Sequence, residues 1–247
     1  MQFHGQTALV TGSTSGIGRE TALLLAEQGA YVIVSGRDTT KGADTVTAIE
    51  SAGGKAAFVA ADLSDLESVR HLADAAGDVD VLVNNAGAFP FAATLDQSLD
   101  TFTLMLDTNV RGTYFLTQSV LRGMAARGGG AVVNVSSIAG LSGMVTTSVY
   151  GASKAAVDSF TRTWAVEFGR SGIRVNAVAP GHTYTENVVA GIGEEEFAKM
   201  GARVPLSRLG SAREIAEAIV FLASPRAAYI TGVTLPVDGG FMALGLD

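Results

Sequence analysis

The sequence predicts one α/β domain spanning residues 1–247, with a doubly wound, seven-stranded parallel sheet. Short apolar runs alternate with longer segments whose apolar residues recur at helical spacing. The apolar runs lack polar alternation, which is typical of parallel strands covered by helices on both faces. Repeated strand–helix–strand units with short connections favour right-handed crossovers. The length suits one large domain, and neither a linker nor an internal repeat divides the chain.

Val, Ala, Ile and Leu dominate most of the predicted strands, whereas the predicted helices carry apolar residues on one face, as at Ile215, Ile219 and Leu222. The predicted strands are Thr7–Thr11, Tyr31–Ser35, Ala56–Ala60, Val79–Asn84, Ala131–Ser136, Ile173–Val178 and Val233–Val237. The predicted helices are Ile17–Gln28, Thr40–Ala52, Leu66–Ala75, Leu99–Arg127, Val149–Gly169 and Ala212–Ala223.

One irregular stretch, about residues 182–205, follows the sixth strand and so lies at the carboxyl end of the sheet. Ligands of such sheets bind at the carboxyl ends of the strands, and long insertions there often cover a site. We therefore expect a substrate lid. The alternative is a surface excursion with one or two helices.

Composition limits the partners. The formal net charge is −7 and no Lys/Arg cluster stands out, which argues against a nucleic acid or an anionic membrane as a partner. The sequence has no cysteine, so disulfides and thiolate metal sites are excluded and a cytoplasmic location is expected. No apolar run approaches the ~20 residues of a membrane helix. No ligand cluster suggests a metal site.

A glycine-rich turn joins the first strand to the first helix. Its glycines permit a tight turn, a close approach of a pyrophosphate to the backbone and close packing of the helix. N–H groups at the helix N-terminus would face the phosphates. No Lys-Ser/Thr pair follows, so a P-loop is excluded. The turn therefore predicts a dinucleotide site on a Rossmann fold, formed by Gly12, Ser13, Thr14, Ser15, Gly16, Ile17 and Gly18.

Polar residues also follow the third and fourth strands. Asp62 follows the third strand, where its carboxylate could accept a hydrogen bond from an adenine amino group or could cap the next helix. Asn84–Gly87 ends the fourth strand, where small residues would let a flat ring lie against the backbone; the alternative is an Asn-rich turn.

Tyr150 and Lys154 are four residues apart near the start of a predicted helix, so they share one face. A nearby ammonium would lower the pKa of the Tyr150 phenol from about 10 toward neutrality. Such a phenol could give a proton to a carbonyl oxygen or take one from an alcohol. The alternative is an ordinary pair on a solvated helix.

Three further residues could contribute. Ser137 follows the fifth strand, and its hydroxyl could point into the cleft or belong to a turn. Asn109 lies within a predicted helix, where Asn is a poor helix former and must be hydrogen-bonded if buried. His182 follows Pro180-Gly181 at a strand end and is either a chemical participant or a pocket wall.

Together these motifs resemble the short-chain dehydrogenase/reductase family, and in particular its 3-oxoacyl-[acyl-carrier-protein] reductases. The resemblance covers nearly the whole chain. The wide glycine spacing, Gly-x-x-x-Gly-x-Gly, is the family's own. The motifs occur in the family's order: Thr11-Gly12-x-x-x-Gly16-Ile17-Gly18, Asp62, Asn84-Asn85-Ala86-Gly87, Asn109, Ser137, Tyr150-x-x-x-Lys154 and Pro180-Gly181.

The resemblance implies an oxidoreductase with Tyr150 as general acid/base. Lys154 would bind the nicotinamide ribose and lower the pKa of Tyr150. Ser137 would stabilise charge on the substrate oxygen. Asn109 would help to hold a water that relays protons to Lys154. The other implied cofactor contacts are Asp62, Leu63, Asn85, Ala86, Gly87, Pro180, Gly181, Thr183 and Thr185.

The end of the second strand indicates which cofactor is bound. An acid there binds the 2′-hydroxyl of NAD, whereas an Arg accommodates the 2′-phosphate of NADP. The family's NAD-type acid would fall at Gly36, and Arg37 follows it. Asp38 is expected to cap the next helix. NADP(H) is therefore favoured, while NAD(H) stays possible.

Other features suggest the ligands and the assembly. The predicted pocket walls are apolar, which suggests a small or hydrophobic carbonyl substrate, with Arg203 as an available anion anchor. The helices Leu99–Arg127 and Val149–Gly169 carry more apolar surface than one sheet face would cover, and relatives pair through them, so a homotetramer is expected. A non-catalytic dinucleotide sensor on the same fold is the alternative function.

Overall fold

The computed structural model describes residues 1–185 and 193–244. Seven strands form one fully parallel sheet in the order β3-β2-β1-β4-β5-β6-β9, which confirms the predicted doubly wound α/β fold. Two further short strands, β7 and β8, pair with each other beside it. The strands are β1 Thr7–Thr11, β2 Tyr31–Gly36, β3 Lys55–Ala60, β4 Val81–Asn84, β5 Gly130–Val135, β6 Ile173–Pro180, β7 Thr183–Tyr184, β8 Gly210–Ser211 and β9 Thr234–Val237.

Helices connect consecutive strands and cover both faces of the sheet. The predicted helices are found with ends shifted by a few residues, except for the fourth. The described helices are α1 Gly16–Glu27, α2 Thr39–Ser51, α3 Leu66–Ala76, α4 Leu99–Leu106, α5 Thr113–Arg127, α6 Ile138–Leu141, α7 Ser148–Phe168, α8 Glu194–Ala202 and α9 Ala212–Ala223. Short 3₁₀ turns occur at Thr94–Asp96, Gly169–Ser171, Pro225–Ala227 and Phe241–Ala243.

Two apolar layers hold the helices on the sheet. On one face, Leu25 of α1, Ile49 of α2 and Ile219 of α9 belong to one buried cluster with side chains of the strands. On the other face, α3, α5 and α7 form a second cluster, which includes Leu121 and Trp164. Continuous apolar strands are needed because both faces of the sheet are buried.

Side-chain caps set several helix starts. Asp38 accepts a hydrogen bond from the Lys41 N–H at 3.0 Å, so the predicted cap of α2 is confirmed. Asp65, not Asp62, caps α3 by accepting from the Glu67 N–H at 3.0 Å. Ser211 and Glu214 form a reciprocal capping box at α9.

The predicted helix Leu99–Arg127 is wrong as a single α-helix. A π-helical segment, Asp107–Gly112, separates α4 from α5. At its end, a Cβ on Gly112 would overlap the Leu63 carbonyl, so the glycine permits a close approach to the loop after β3. Such wide turns often occur at functional sites, and this one contains Asn109.

The predicted lid is described in part, as residues 182–185 and 193–205; residues 186–192 lie outside the described part of the chain. Its described base is the pairing of β7 with β8, in which Thr183 lies opposite Gly210. Among the described helices, none is both long and apolar enough to cross a membrane.

Candidate active site

The site lies where the strand order reverses, between β1 and β4. The chain continues from β1 to β2 on one side and from β4 to β5 on the other. The two connections therefore diverge and leave a crevice at the carboxyl ends of β1 and β4. Gly12 follows β1 with φ +63°, a conformation that favours glycine. A Cβ on Gly12 would lie 2.8 Å from the Ala86 Cα, so the turns after β1 and β4 are in close contact.

Hydrogen bonds fix these two turns against each other. The Asn85 N–H donates to Thr11 Oγ1 at 3.0 Å, and Asn85 Nδ2 donates to the carbonyls of Thr11 at 2.9 Å and Gly12 at 3.0 Å. A Cβ on Gly18 would overlap both the Gly12 carbonyl and the Asn85 amide. Gly18 therefore lets α1 start directly against the turn, which is the packing role expected of the third glycine.

Ser13 has a different position from the one predicted. Its side chain is fully buried; Ser13 Oγ donates to the Val10 carbonyl at 2.7 Å and accepts from the Ser35 N–H at 2.9 Å. It therefore ties the glycine turn to β2 and does not line the cavity. Thr14, Ser15 and Gly16 form the cavity side of the same turn.

One cavity of about 650 Å³ joins the glycine turn to the predicted reactive residues. Its long shape connects three regions: the turn after β1, the loops after β2 and β3, and the start of α7. Ser13, Gly18 and Asn109 are the predicted site residues that do not line it. Those that do are Gly12, Thr14, Ser15, Gly16, Ile17, Arg37, Asp62, Leu63, Asn85, Ala86, Gly87, Ser137, Tyr150, Lys154, Pro180, Gly181, Thr183 and Thr185.

The end of β2 presents Arg37 to the cavity. Arg37 is exposed and lines the cavity, whereas Asp38 is engaged in capping α2. A Cβ on Gly36 would lie 2.7 Å from Thr14 Cγ2, so the glycine turn leaves little space for a side chain at this position.

Asp62 forms a local turn beside the cavity. Asp62 Oδ1 accepts from the Ser64 N–H at 2.9 Å and from the Ser64 hydroxyl at 2.8 Å. Because Asp65 is the cap of α3, the alternative role of Asp62 as a helix cap is wrong. The local hydrogen bonds hold the Asp62 carboxylate at the cavity wall.

Tyr150 lies in the first turn of α7, opposite Ser137, which follows β5. The Ser137 hydroxyl lies close enough to the Tyr150 phenol to influence its pKa. Ser137 also caps the short helix α6, where its hydroxyl accepts from the Ala139 N–H at 3.1 Å. The Phe91 ring packs edge-on against the Tyr150 ring, with centroids 5.5 Å apart.

Lys154 is 5% exposed, one turn further along α7. Its ammonium donates to the Val135 carbonyl at 2.7 Å and lies 5.8 Å from the centroid of the Tyr150 ring. Burial lowers the pKa of Lys154 to about 8, and the charge of Asp158 opposes this shift. The lysine therefore titrates close to neutral pH.

The predicted lowering of the Tyr150 pKa is wrong in this structure. Burial raises the pKa of the Tyr150 phenol above its ordinary value, and the nearby Ser137 hydroxyl opposes the rise. Burial disfavours the phenolate more than its surroundings stabilise it. Tyr150 is therefore a neutral phenol at neutral pH, which suits a proton donor.

Asn109 is buried behind the cavity wall, in the π-helix. Asn109 Nδ2 donates to the Ala88 carbonyl at 2.9 Å and to Ser153 Oγ at 3.0 Å, while Oδ1 accepts from the Ala88 N–H at 2.7 Å. The amide thus links the loop after β4 to α7 beside Lys154. A Cβ on Gly87 would lie between the two, 3.3 Å from Asn109 Oδ1 and 3.5 Å from Lys154 Nζ.

Sequence reasoning missed several wall residues. Phe91 and Leu104 line the cavity near Tyr150, as does Thr146, whose φ is +66°. An aromatic pair in the loop after β4, Phe89 and Phe91, was the available signal for the first of them. The pocket walls expected from the sequence, Ala88, Phe89, Ile138, Met144, Val145 and His182, line the cavity, and so does Met200 at the end of the expected lid segment 186–200.

His182 is half-buried and packs edge-on against Phe241, with ring centroids 4.9 Å apart. Burial and the charge of Arg203 lower the pKa of His182, and Asp238 opposes them. The imidazole is therefore mainly neutral at pH 7, as expected of a pocket wall.

The residues present fit a dinucleotide. Positive φ angles at Gly12 and Gly16 leave a side-chain-free surface at the start of α1, where a diphosphate can approach the backbone. The cation Arg37 and the phenol of Tyr150 both line the same cavity. Within the described residues, no cluster of His, Asp and Glu could hold a metal ion.

The chain is similar to known proteins over nearly its whole length. The model of the family described as "Enoyl-(Acyl carrier protein) reductase" matches residues 12–242. A 3-oxoacyl-[acyl-carrier-protein] reductase of Vibrio harveyi is 40% identical over 244 residues, which cover 97% of this chain and 98% of that protein.

Two solved structures share the fold closely. One, described as a short chain dehydrogenase/reductase family protein, is 52% identical with a TM-score of 0.94, covering 99% of this chain and 100% of that one. The other is a gluconate 5-dehydrogenase from Burkholderia cenocepacia J2315 in complex with NADP and tartrate. It is 33% identical with a TM-score of 0.92, covering 99% and 98% of the two chains.

Proposed function

This chain belongs to the short-chain dehydrogenase/reductase family, and on that premise we propose that Tyr150 is its general acid/base. The chain is an oxidoreductase that acts on carbonyl or alcohol groups with a nicotinamide cofactor. The observation that carries the proposal for Tyr150 is the single cavity that Tyr150, Lys154 and Ser137 share with the glycine turn.

In this proposal the side chains of the protein donate and accept the proton of the reaction. When bound, the nicotinamide supplies or accepts the hydride. Tyr150 gives its phenolic proton to the carbonyl oxygen during reduction and takes the alcohol proton during oxidation. Ser137, which lies beside Tyr150, donates to the same oxygen and stabilises the charge that develops on it.

Lys154 has two roles in the proposal. Its ammonium donates to ribose hydroxyls, and its charge stabilises the phenolate that Tyr150 becomes after proton transfer. Asn109 holds the loop after β4 against α7 and so keeps Lys154 in place. In the proposal, Asn109 also helps to hold a water that relays protons to Lys154.

We further propose that the cofactor is NADP(H). The support is the exposed guanidinium of Arg37 at the end of β2, together with the glycine at position 36, where an acid would be needed to bind a ribose hydroxyl. A guanidinium pairs with phosphate through two parallel hydrogen bonds. The cofactor contacts of this proposal are the lining residues of the glycine turn and of the loops after β3, β4 and β6.

The proposed substrate is a small carbonyl compound with limited charge. Apolar side chains surround Tyr150, including Phe91, Ile138 and Met144. The residues about 182–205 would act as its lid, with His182 and Met200 on the cavity side. A cytoplasmic location and a homotetramer complete the proposal; the first rests on the absence of cysteine from the sequence.

The test is Tyr150→Phe, measured as oxidation of NADPH with a panel of ketones, 3-oxoacyl thioesters and sugar-acid ketones. Loss of the general acid should lower turnover by about 10²-fold to 10⁴-fold. NADPH binding, followed by fluorescence, should stay within about threefold of wild type because the ring is kept.

Tyr114→Phe is the matched control, since Tyr114 packs against Phe160 and Trp164 away from the cavity. Turnover of Tyr150→Phe equal to that of this control would refute the acid/base role. Wild-type protein that binds NADPH yet turns over no member of the panel would favour the sensor alternative.

A further inference from the structure

A buried carboxylate lies one helical turn beyond Lys154 on α7. Asp158 is 2% exposed and does not line the cavity. Residues four apart on a helix share a face, so Asp158 follows Lys154 on the side of α7 that packs against the sheet. The proton chemistry proposed above does not use it.

Three elements enclose the Asp158 carboxylate. Thr234 Oγ1 of β9 donates to Oδ1 at 3.0 Å, and Ser136, which follows β5, lies close enough to influence the carboxylate. A Cβ on Gly140 of α6 would lie 3.1 Å from Oδ2. Oδ2 has no hydrogen-bond partner among the described residues. The carboxylate is thus enclosed but only partly satisfied.

The charged groups that influence Asp158 are on its own helix. Lys154 lies one turn before it and Arg162, which is exposed, one turn after it. The groups facing it from β5, β9 and α6 are Ser136, Thr234 and Gly140, which carry no charge. Of these two cations only Lys154 is buried, so it is the charge that a negative Asp158 would stabilise.

Such a carboxylate is costly. Burial raises the pKa of Asp158, against the influence of Ser136, the hydrogen bond from Thr234 and the charges of Arg162 and Lys154. A buried charge with an unpaired oxygen destabilises a fold, and replacing buried ion pairs by neutral groups is often neutral or stabilising. An acid held here at a cost to stability is best explained by its effect on the neighbouring lysine.

We propose that Asp158 is a positioning residue, a buried counter-charge that keeps Lys154 in its ammonium form at neutral pH. The inference rests on the proposed function, because it gives the lysine charge a task in holding the cofactor. Lys154 has a pKa of about 8 with the help of Asp158. Without that charge, less would oppose the effect of burial, and the pKa of Lys154 would be lower.

The experiment measures NADPH affinity of the whole protein by fluorescence between pH 6 and 9.5, for wild type and Asp158→Asn. In wild type, affinity should fall as the pH rises through about 8, because Lys154 loses its proton there. In Asp158→Asn, the amide keeps the hydrogen bond from Thr234 but not the charge. The midpoint should move about one pH unit or more toward acid.

Asp74→Asn is the matched control, because it makes the same change in net charge at an exposed position of α3. It should keep the wild-type midpoint. If Asp158→Asn does not fold, as judged by thermal melting, Thr234→Val replaces it. That variant removes the hydrogen bond that favours the charged carboxylate, so its midpoint should shift in the same direction by a smaller amount.

Coinciding midpoints for wild type and Asp158→Asn, or for wild type and Thr234→Val where that variant replaces it, would overturn the inference. So would equal shifts in Asp158→Asn and Asp74→Asn. If wild type itself does not bind NADPH or NADH, the proposed function fails, and the inference fails with it. These outcomes differ in the wild-type titration, so failure of the inference alone is recognisable.

Discussion

At the scale of single residues, Arg37 has the greatest influence on the proposed cofactor preference. It is exposed, it lines the cavity, and the neighbouring acid Asp38 is engaged in capping α2. Both Arg37 and Asp38 directly follow the second strand, so either could have bound the ribose by its position in the sequence alone. The cap supports the proposal for Arg37, because a carboxylate that accepts from the Lys41 N–H is directed toward its own helix.

The corresponding prediction is that Arg37→Ala weakens NADPH binding by about 10-fold to 100-fold, the value of one or two hydrogen bonds to a charged group. NADH, which lacks the 2′-phosphate, should lose about threefold or less. Fluorescence titrations with both cofactors measure the two effects. Arg122→Ala, at an exposed position of α5, is the control. Equal weakening of NADPH and NADH would show that Arg37 does not bind the 2′-phosphate.

Residue chemistry was only partly predictable from the sequence. The spacing of Tyr150 and Lys154 correctly predicted that they share one helix face. The prediction that Asp38 caps α2 was also correct. The predicted direction of the Tyr150 pKa shift was wrong because the shift depends on burial. Burial is set by side chains such as Phe91, which come from another loop. The sequence also did not indicate that the Ser13 hydroxyl bonds to the backbone of Val10 and Ser35.

At the scale of elements, the start of α1 depends on Gly18. Its lack of a side chain lets the helix begin against the Gly12 carbonyl and the Asn85 amide. The position of the diphosphate surface therefore depends on packing as well as on turn geometry. Sequence motifs indicated this glycine, although they could not tell which atoms it contacts.

We predict that Gly18→Ala destabilises the fold by about 1–3 kcal/mol, because the added methyl group must displace backbone. It should also weaken NADPH binding. Gly123→Ala is the control: in α5 the new methyl group would meet only the end of the Arg127 side chain, at 3.0 Å. Helix propensity should make that variant more stable by up to about 1 kcal/mol. Denaturant unfolding measures both, and changes of the same sign would contradict the packing argument.

The π-helix is the element that sequence patterns did not reveal. Apolar periodicity continues on both sides of Asp107–Gly112, so Leu99–Arg127 was predicted as one helix. A wide turn adds a residue without interrupting the apolar face that follows, in which Leu116 and Val120 are buried. Asn109, a poor helix former held by Ala88 and Ser153, was the local sign of irregularity.

At the scale of the whole molecule, simple rules predicted the doubly wound parallel sheet, although not the order of its strands. Right-handed crossovers and apolar strands predict a doubly wound sheet, and its carboxyl edge then collects the turns that carry the site. The short pairing of β7 with β8 was not predictable, since two-residue strands leave no periodic signal. Exposed apolar side chains on α5 and α7, including Phe115 at 42% and Val166 at 84%, support the proposed assembly.

Light scattering coupled to size exclusion should therefore give four times the chain mass of 25.3 kDa. Val166→Glu should shift the protein to smaller species, because a charge would be buried in the proposed helix pairing. Thr40→Glu, exposed on α2, should keep the assembly of the wild type. A monomer at micromolar concentration in the wild type would refute the homotetramer.

The contact between Gly36 and Thr14 restricts how this chain could evolve. A lineage that switched to the other nicotinamide cofactor would need an acid at position 36, yet any side chain there begins 2.7 Å from Thr14 Cγ2. Gly36→Asp would therefore have to displace the Thr14 side chain, which belongs to the glycine turn. If the chain uses NADP(H), as proposed, a change to NAD(H) would therefore require a rearrangement of Thr14 as well as a new acid at position 36.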